Sequence, residues 1–261
     1  MPRPVPADTS APTPEIQAPP AHQIVPEDCF ALSEIALPAI SPTGTHVAYR
    51  ESRWMAGKRR HLLRVVDTAT GGSRRLTRHA SPIFAPQWTP DGNAVCYAIV
   101  DESGMQVWMV RRDGEAPVRV TNTPGGISRF ALGQAGRAIY FTRHVETPPD
   151  DWPELRKQFE RTVEYGHGDS QITELWRHDL SSGEDIRLRG HERYITSFAI
   201  CPEERRIALA TAPDERLITN EGESILEILE LASGDVSALP DDLWRKNAAS
   251  PFAWIETPAW S

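Results

Sequence analysis

The residues of this chain that could do chemistry are spread out and form no known motif. No Gly-x-Ser-x-Gly is present, so the strained turn that exposes a hydrolase serine, with its oxyanion amides, is missing. No glycine-rich loop stands between a strand and a helix, as a phosphate site requires. The sequence thus predicts no catalytic residue, cofactor or metal. The eight histidines lie outside metal-ligand spacing from one another and from cysteine: His22, His46, His61, His79, His144, His167, His178 and His191.

The cysteines also indicate a structural role. Cys29, Cys96 and Cys201 are far apart, and two of them lie in or beside apolar strands, where a thiol behaves as a small core group. We expect all three to be reduced, which suits a cytoplasmic protein.

A hairpin turn organises the elements around these residues. In the turn that ends at Gly92, Pro90 supplies a preset backbone angle, Asp91 bonds back to the turn amides, and Gly92 accepts the left-handed angle. The strand that follows, at residues 94–99, alternates large and small side chains and has almost nothing polar. Both faces of this strand must therefore be covered by neighbouring sheets.

The hairpin returns along the chain, each time followed by a third strand that ends in an acidic residue and a glycine turn, and then by a short fourth strand. Four antiparallel strands per repeat are typical of a β-propeller blade. We expect an all-β, incomplete ring of about four blades plus the start of a fifth. The predicted blades cover about residues 38–77, 82–121, 127–188 and 194–239, and the next one starts at 250–261.

Three segments stand outside the repeats. Residues 1–23 are rich in proline and read as a disordered leader, so the propeller domain is assigned to 24–261. A short helical pattern opens at Pro26 and is expected to end at Pro38. An insertion in the third blade has acidic capping residues, an early proline and apolar residues four apart, which predicts a helix over about 151–164.

The order Val25–Leu32, followed by Leu37–Gly44, resembles the entry to the N-terminal propeller of serine peptidases of the prolyl oligopeptidase family, the acylaminoacyl and dipeptidyl-peptidase type. Blades of that family end in a Leu-Thr pair, and Leu76-Thr77 and Val120-Thr121 fit this feature. The resemblance covers about residues 24–261. It is specific for this class of propeller and less specific for peptidases over their relatives.

The resemblance implies a substrate-gating propeller without catalytic residues, in a serine peptidase that hydrolyses short peptides. The catalytic Ser, Asp and His of the family lie in an α/β-hydrolase domain after the propeller. Members of the dipeptidyl branch grip the substrate's amino terminus with an inserted helix that has an Asp-Trp start and paired glutamates. By this likeness Asp151, Trp152 and Glu154 are candidate substrate contacts, although Pro153 departs from the motif. An ordinary capping helix is the alternative.

A second interpretation stays open. The periplasmic propeller of the Tol system has similar blades, so the chain could be a non-enzymatic scaffold that binds a protein partner. A Tol-like scaffold would be exported, and the N-terminal region lacks the apolar core of a secretory signal. This absence favours the peptidase interpretation.

Charge and hydrophobicity restrict the partners. The formal net charge of -8 and the pI near 5.5 argue against nucleic acid, because a phosphate backbone demands a basic face. No stretch approaches the roughly 20 apolar residues that span a bilayer, so no membrane contact is predicted.

The end of the chain carries a further expectation. Residues 250–261 stop where the Pro-Asp-Gly turn should follow, and propellers of the resembled family close with more than four blades. We expect residues 1–261 to be part of a longer protein, inactive on peptides when made alone. We also expect them to be marginally stable, with self-association through the open blade edges.

Overall fold

The structure is a computed structural model that describes residues 24–147, 157, 170–190, 193–213, 223–240, 255 and 257–260. The described residues form sixteen strands and one short 3-10 helix, Pro26–Phe30. The strands are β1 (Glu34–Ile40), β2 (His46–Met55), β3 (Lys58–Asp67), β4 (Ser73–His79), β5 (Ile83–Trp88), β6 (Ala94–Asp101), β7 (Gly104–Arg111), β8 (Val118–Arg119), β9 (Arg129–Leu132), β10 (Ala138–Thr147), β11 (Ser170–Asp179), β12 (Asp185–Arg189), β13 (Tyr194–Ile200), β14 (Arg206–Ala212), β15 (Ile225–Glu230) and β16 (Val236–Ala238).

The strands form four antiparallel sheets, each built from four consecutive strands. We call them blades 1 to 4, beginning with β1, β5, β9 and β13. Each blade packs against the next one, with β5 on β1 and β2, β9 on β5, and β13 on β9 and β11. The expected all-β propeller architecture is confirmed.

The predicted turn chemistry explains the hairpins. The amide of Gly92 donates to the carbonyl of Thr89 at 2.8 Å, and the φ angle of Gly92 is 67°. The Asp91 carboxylate accepts hydrogen bonds from the Asn93 amide at 3.0 Å and the Thr89 hydroxyl at 2.6 Å. The turn is therefore closed by its own side chains, which fixes the register of β5 and β6.

Apolar clusters join successive blades. Tyr97 and Val95 of blade 2 pack against Leu63 of blade 1, Phe141 of blade 3 packs in the cluster that includes Cys96 of blade 2, and a third cluster joins blades 3 and 4. All five of these side chains are at most 1% exposed. Because the sheets of blades 2 and 3 each contribute both of their faces to such clusters, these inner blades have the two-sided cover that their apolar strands require.

The alternation of strand direction gives every blade two different ends. Tight turns that join the first strand to the second and the third to the fourth lie at one end, which we call the turn face. Connections from the second strand to the third, and from one blade to the next, lie at the opposite end, the loop face. The second-to-third connection has two residues in blades 1 and 2, but spans 148–169 in blade 3 and 213–224 in blade 4. The large differences in length therefore occur between the second and third strands.

Two boundaries differ from the sequence-based expectations. The helical lead ends at Phe30, and Ile35 and Pro38 already belong to β1. The expectation that helical structure continues to Pro38 was wrong, because residues 34–36 and 39–40 pair with β2 around a bulge that takes up Pro38. Blade 1 therefore begins four residues earlier than the predicted start at 38.

Two other expectations fall largely outside the described part of the chain. The helix predicted over about 151–164 lies outside the described residues, with Lys157 as the exception. In the predicted start of a fifth blade, residues 257–260 are described and form no strand. Trp260 nevertheless donates its indole N–H to the carbonyl of Ala199 at 2.9 Å. The equivalent contact joins blade 2 to blade 1, where the indole N–H of Trp88 donates to the carbonyl of Ala39, also at 2.9 Å.

Within the described ranges, no helix is long and apolar enough to cross a membrane.

Candidate functional site

Buried polar side chains concentrate in the part of each blade nearest the loop face. Among the described residues, the exception is Ser41, which lies in a tight turn of blade 1. The others lie at mid-strand or towards the loop face: Glu51, Ser52, His61, Thr77, Gln106, Thr121, Thr123, Thr142, Thr173, Glu174, Arg189, Ser197, Thr211, Ser224 and Glu227. Since a buried polar group is costly unless it is hydrogen-bonded, this end of the propeller depends on specific contacts.

The connection in blade 3 is carried on a two-stranded ribbon. Strands β10 and β11 pair from Ala138↔Asp179 to Thr147↔Ser170, whereas β9 pairs only with residues 139–142. The ribbon therefore extends beyond the innermost strand towards the loop face. The ribbon ends at Thr147 and Ser170 therefore lie at that face, and the predicted substrate contacts fall between these two residues in the sequence.

A buried carboxylate anchors the base of this ribbon. Glu174 accepts hydrogen bonds from Arg143 at 2.8 Å, from the Trp176 indole at 2.9 Å and from Arg187 at 3.1 Å. The guanidinium of Arg143 also lies 4.2 Å from the centre of the Trp176 ring, a cation–π contact. These contacts tie both ribbon strands to β12.

The same contacts determine the ionisation of Glu174. Burial alone would raise the pKa of this carboxyl, but the hydrogen bonds from Arg143, Trp176 and Arg187 hold the pKa below its ordinary value. Glu174 is therefore ionised near neutral pH and engaged on both oxygens. It serves as an anchor and is unsuited to act as a general acid.

A second buried pair joins blades 3 and 4. Arg189 of β12 makes a two-pronged contact with Glu227 of β15, at 2.9 and 3.2 Å. The Thr211 hydroxyl donates to the same carboxylate at 2.7 Å, and Arg193 donates to Thr211 at 3.0 Å. Burial would raise the pKa of Glu227, but Arg189 and Thr211 keep the pKa lowered.

A third polar group lies between blades 1 and 2. The Ser52 hydroxyl and His61 Nδ1 are 2.9 Å apart, and His79 Nε2 lies 3.1 Å from the Tyr97 hydroxyl. His61 and His79 are direct cross-strand partners in β3 and β4. Burial lowers the pKa of both histidines, and Arg50 and Arg59 lower the pKa of His61 further. Both rings are therefore neutral in the neutral pH range.

The Ser52–His61 contact resembles a nucleophile with its base but lacks access. Ser52 is only 2% exposed and His61 8%, so no substrate carbonyl can reach the hydroxyl. A working serine nucleophile also needs donors aimed at the developing oxyanion. The Ser52–His61 contact therefore positions strands β2 and β3 and does not form a hydrolytic centre.

The structure leaves the sequence-predicted contacts untested. Asp151, Trp152 and Glu154 lie outside the described residues. In the described ranges, no group of three or more His, Cys, Asp or Glu side chains could hold a metal ion. Trp108 and Trp176 occupy equivalent strand positions, opposite Tyr97 and Phe141, and both pack against apolar clusters.

Sequence reasoning missed the histidine pair and the anchor of the ribbon. His61 and His79 stand eighteen positions apart in the chain, a spacing that suggests no contact. The turn between β3 and β4 would by itself place His61 opposite Arg78. A bulge at Leu76 shifts the register so that His61 lies opposite His79, and nothing in the sequence marks this bulge. Glu174 had a weaker signal, a carboxylate placed between the apolar residues Ile172 and Leu175.

The chain is similar in sequence to peptidases and to TolB, although it matches no protein-family model. It is 28% identical over 182 residues to dipeptidyl-peptidase 5 of Porphyromonas endodontalis, which covers 64% of this chain and 26% of that protein. Identity to the uncharacterized peptidase YuxL of Bacillus subtilis is 28% over 123 residues, 46% of this chain and 19% of YuxL. The Tol-Pal system protein TolB of Hydrogenovibrio crunogenus is 31% identical over 72 residues, 28% of this chain and 17% of TolB.

Solved structures share the fold. Acylaminoacyl peptidase of Pyrococcus horikoshii superposes with a TM-score of 0.57 at 12% identity, over 82% of this chain and 33% of that one. TolB of Acinetobacter baumannii gives a TM-score of 0.55 at 19% identity, over 79% of this chain and 43% of that one. The chain thus spans a minor part of each relative. It is a β-propeller homologous to part of dipeptidyl-peptidase 5 and YuxL, with the fold of acylaminoacyl peptidase and TolB, which confirms the resemblance seen in its sequence.

Proposed function

We propose that this chain is the substrate-gating, non-catalytic propeller portion of a serine peptidase that hydrolyses short peptides. The observation that carries the proposal is the 28% identity to dipeptidyl-peptidase 5 over 182 residues. Catalysis would belong to an α/β-hydrolase domain outside these residues. In this arrangement the propeller admits short peptides and excludes folded proteins by size.

The loop face is where such gating would act. Variable loops on a rigid scaffold are the usual place for binding groups, and the two strands of the blade 3 ribbon are separated in the sequence by 148–169, the longest stretch between consecutive strands. Asp151, Trp152 and Glu154 lie within that connection, and we assign them to contact with the peptide substrate. The Glu174 anchor would hold the ribbon in place while the peptide binds.

We further propose that the protein is cytoplasmic and binds neither nucleic acid nor membranes. The net charge of -8 supports the absence of a polyanion partner, and the reduced, buried state of Cys96 and Cys201 suits a reducing compartment. Fractionation of the source cells, with blotting against residues 24–261, tests the location. Recovery outside the cytoplasm would contradict it.

A Tol-like scaffold is the second candidate. The supporting observation is the 31% identity to TolB of Hydrogenovibrio crunogenus over 72 residues. In this alternative the propeller binds a protein partner and no hydrolase is involved.

One experiment separates the two candidates. The protein is tagged at its chromosomal locus, purified from its source cells, and tested with a fluorophosphonate probe and with chromogenic dipeptide and aminoacyl substrates. A tagged polypeptide that is labelled and hydrolyses the substrates supports the peptidase. A tagged polypeptide that is neither labelled nor active overturns the peptidase proposal, and the Tol-like scaffold is then the remaining candidate. The recombinant 261-residue chain is the matched control and should be inactive.

We also propose that the isolated chain self-associates through uncovered blade faces. Ile35 and Ile40 of β1 are 69% and 70% exposed, and apolar surface of this kind favours association. Sedimentation of the recombinant chain over a range of concentrations tests this. A monomer at every concentration would contradict it.

A further inference from the structure

The innermost strands of the blades carry almost no charge. The first strands of successive blades, β1, β5, β9 and β13, contact one another, and in a propeller such strands surround the central channel. Among the residues of these four strands, only Glu34 and Arg129 are charged. Each is the first residue of its strand. Both therefore lie at the loop face, at the mouth of the channel.

These two charges have different surroundings. Glu34 is paired with Arg50 at 2.8 Å and also with Arg59. Arg129 is exposed, and in the described part of the chain no carboxylate lies within ion-pair distance of it. Blade 3 lies between blades 2 and 4, so the outermost blade faces do not contribute to the exposure of Arg129.

The guanidinium of Arg129 is also without a hydrogen bond inside the described part of the protein. Arg129 is directly opposite Thr142 in β10, and the buried Thr142 hydroxyl has no hydrogen-bond partner either. Two other arginines near the seam between blades 3 and 4 are engaged, since Arg189 forms the buried pair described above and Arg193 donates to Thr211 at 3.0 Å. The donors of Arg129 are therefore available to a ligand.

An aromatic pair lies on the same side of blade 3. Residues opposite each other in an antiparallel register, and alternate residues along a strand, share a sheet face. Arg129 and His144 therefore lie on one face of blade 3, the face that packs against blade 4 through Tyr140. The His144 ring stacks on that of Tyr194, the first residue of β13, with the ring centres 6.0 Å apart. An unpaired cation and an aromatic surface thus lie on one seam at the channel mouth.

We propose that Arg129 binds the C-terminal carboxylate of a short peptide, and that the His144–Tyr194 pair lies beside the last side chain of that peptide. A guanidinium group matches a carboxylate in a two-pronged geometry. Apolar and aromatic surfaces with a few polar groups are typical of small-ligand sites. The peptide nature of the ligand rests on the proposed function.

Recognition of a carboxylate would add a chemical criterion to exclusion by size. A residue spans at most about 3.5 Å, so in a peptide of two or three residues every peptide bond lies within roughly 10 Å of the terminal carboxylate. The net charge of -8 repels free carboxylates, and their binding at the channel mouth therefore depends on a local unpaired cation. Arg129 is the cation that the innermost strands supply.

The test measures the binding of dipeptides to the recombinant 261-residue chain by ligand-observed NMR at neutral pH. The probes are alanyl-phenylalanine, its C-terminal amide, and alanyl-glutamate amide, which has a carboxylate on the side chain alone. The variants are Arg129→Gln and Arg129→Lys. The matched control is Arg137→Gln, an exposed arginine at the turn face of the same blade. Circular dichroism checks that each variant is folded, and the tagged full-length protein replaces a chain that is not.

We expect the natural chain and the control to bind alanyl-phenylalanine about tenfold more tightly than its amide. Arg129→Gln should remove this difference, and Arg129→Lys should keep part of it. Equal binding of the acid and the amide by the natural chain would overturn the proposal, as would an equal change in Arg129→Gln and the control. Binding of alanyl-glutamate amide as tight as that of alanyl-phenylalanine would overturn it in favour of acidic side chains.

Kinetics of the tagged full-length protein separate this inference from the proposed function. For short peptides with a free carboxylate, Arg129→Gln should raise KM about tenfold and leave kcat unchanged. An active variant with an unchanged KM would overturn the assignment of Arg129 while the peptidase proposal stands. An inactive natural protein would overturn the peptidase proposal, and the NMR measurements would still decide whether Arg129 binds a carboxylate.

Discussion

The two ends of the same four blades are held together by different physical means. At the turn face, blade meets blade through side chains such as Val95, Ile139 and Ile207, none of which is exposed to solvent. At the loop face, the contacts between blades include the Arg189–Glu227 pair and the hydrogen bond between His79 and Tyr97. The apolar end is stabilised by burial, which is non-directional, while the polar end needs its groups in defined geometry.

This contrast shows that the contacts that stabilise the blade packing lie at one end of the fold, while the connections that differ in length lie at the other. Apolar packing at the turn face holds neighbouring blades together, and it does not depend on which connections are present at the loop face. The polar end then allows connections as different as Ala56-Gly57 and residues 148–169 to emerge from similar blades. Polar side chains such as Glu174 hold the strands from which these connections emerge.

The largest effect is expected at the turn face. Replacing Ile139, which is not exposed, with alanine should cost about 4 kcal/mol, from lost burial and the cavity that remains. Denaturant unfolding of the recombinant chain measures this cost. Ile40→Ala is the matched control, because Ile40 is 70% exposed. A similar loss in both variants would break the comparison.

The next effect tests the loop face. Glu227→Leu leaves the Arg189 charge buried without its partner and should cost about 3 kcal/mol. Adding Arg189→Met should recover most of the loss, since replacing both members of a buried pair by apolar groups is often nearly neutral. A double variant as unstable as the sum of the two single ones would show that these residues matter for something other than their pairing.

A smaller effect is expected on lowering the pH. The pKa values of His61 and His79 are below the ordinary 6.5 in the folded chain, so the unfolded chain binds more protons. The free energy of unfolding should be steady above pH 6.5 and fall as the pH drops from there through the folded pKa values. Unfolding midpoints of the chain and of His61→Gln with His79→Gln, between neutral pH and about pH 5, test this.

The double variant should show a flatter pH profile over that range. His22→Gln, outside the described residues, is the control and should leave the profile unchanged. An unaltered slope in the double variant would assign the pH dependence to other groups. Glu174 and Glu227 act in a separate window, since their lowered pKa values give stability that is present above pH 4.5 and lost below it.

The smallest effect is expected for an exposed ion pair at the turn face. Arg111 and Asp113 lie 2.9 Å apart, and both side chains are more than half exposed. Solvent and salt screen such a pair, so Arg111→Ala should leave the unfolding midpoint unchanged within error. A clear shift would mean that charges also hold the turn face, contrary to the comparison.

The sequence by itself determined the architecture of this protein. Turn residues such as Pro90, Asp91 and Gly92 encode local backbone angles, and alternating apolar strands encode burial on both faces. Both signals act over a few residues, so repetition along the chain was enough to predict four blades. The helical pattern that opens at Pro26 was predicted to continue through Ile35 to Pro38, which was wrong because pairing with β2 overrides it there.

Only the tertiary structure decided which polar side chains meet. The Arg189–Glu227 pair joins residues thirty-eight positions apart in different blades, and His61 faces His79 because a bulge at Leu76 sets the register of β4. Arg53, Arg64 and Arg78 likewise share one side of blade 1 only because the strands β2, β3 and β4 are aligned. Such contacts depend on register and blade packing, which place distant residues together and leave no periodic trace in the sequence.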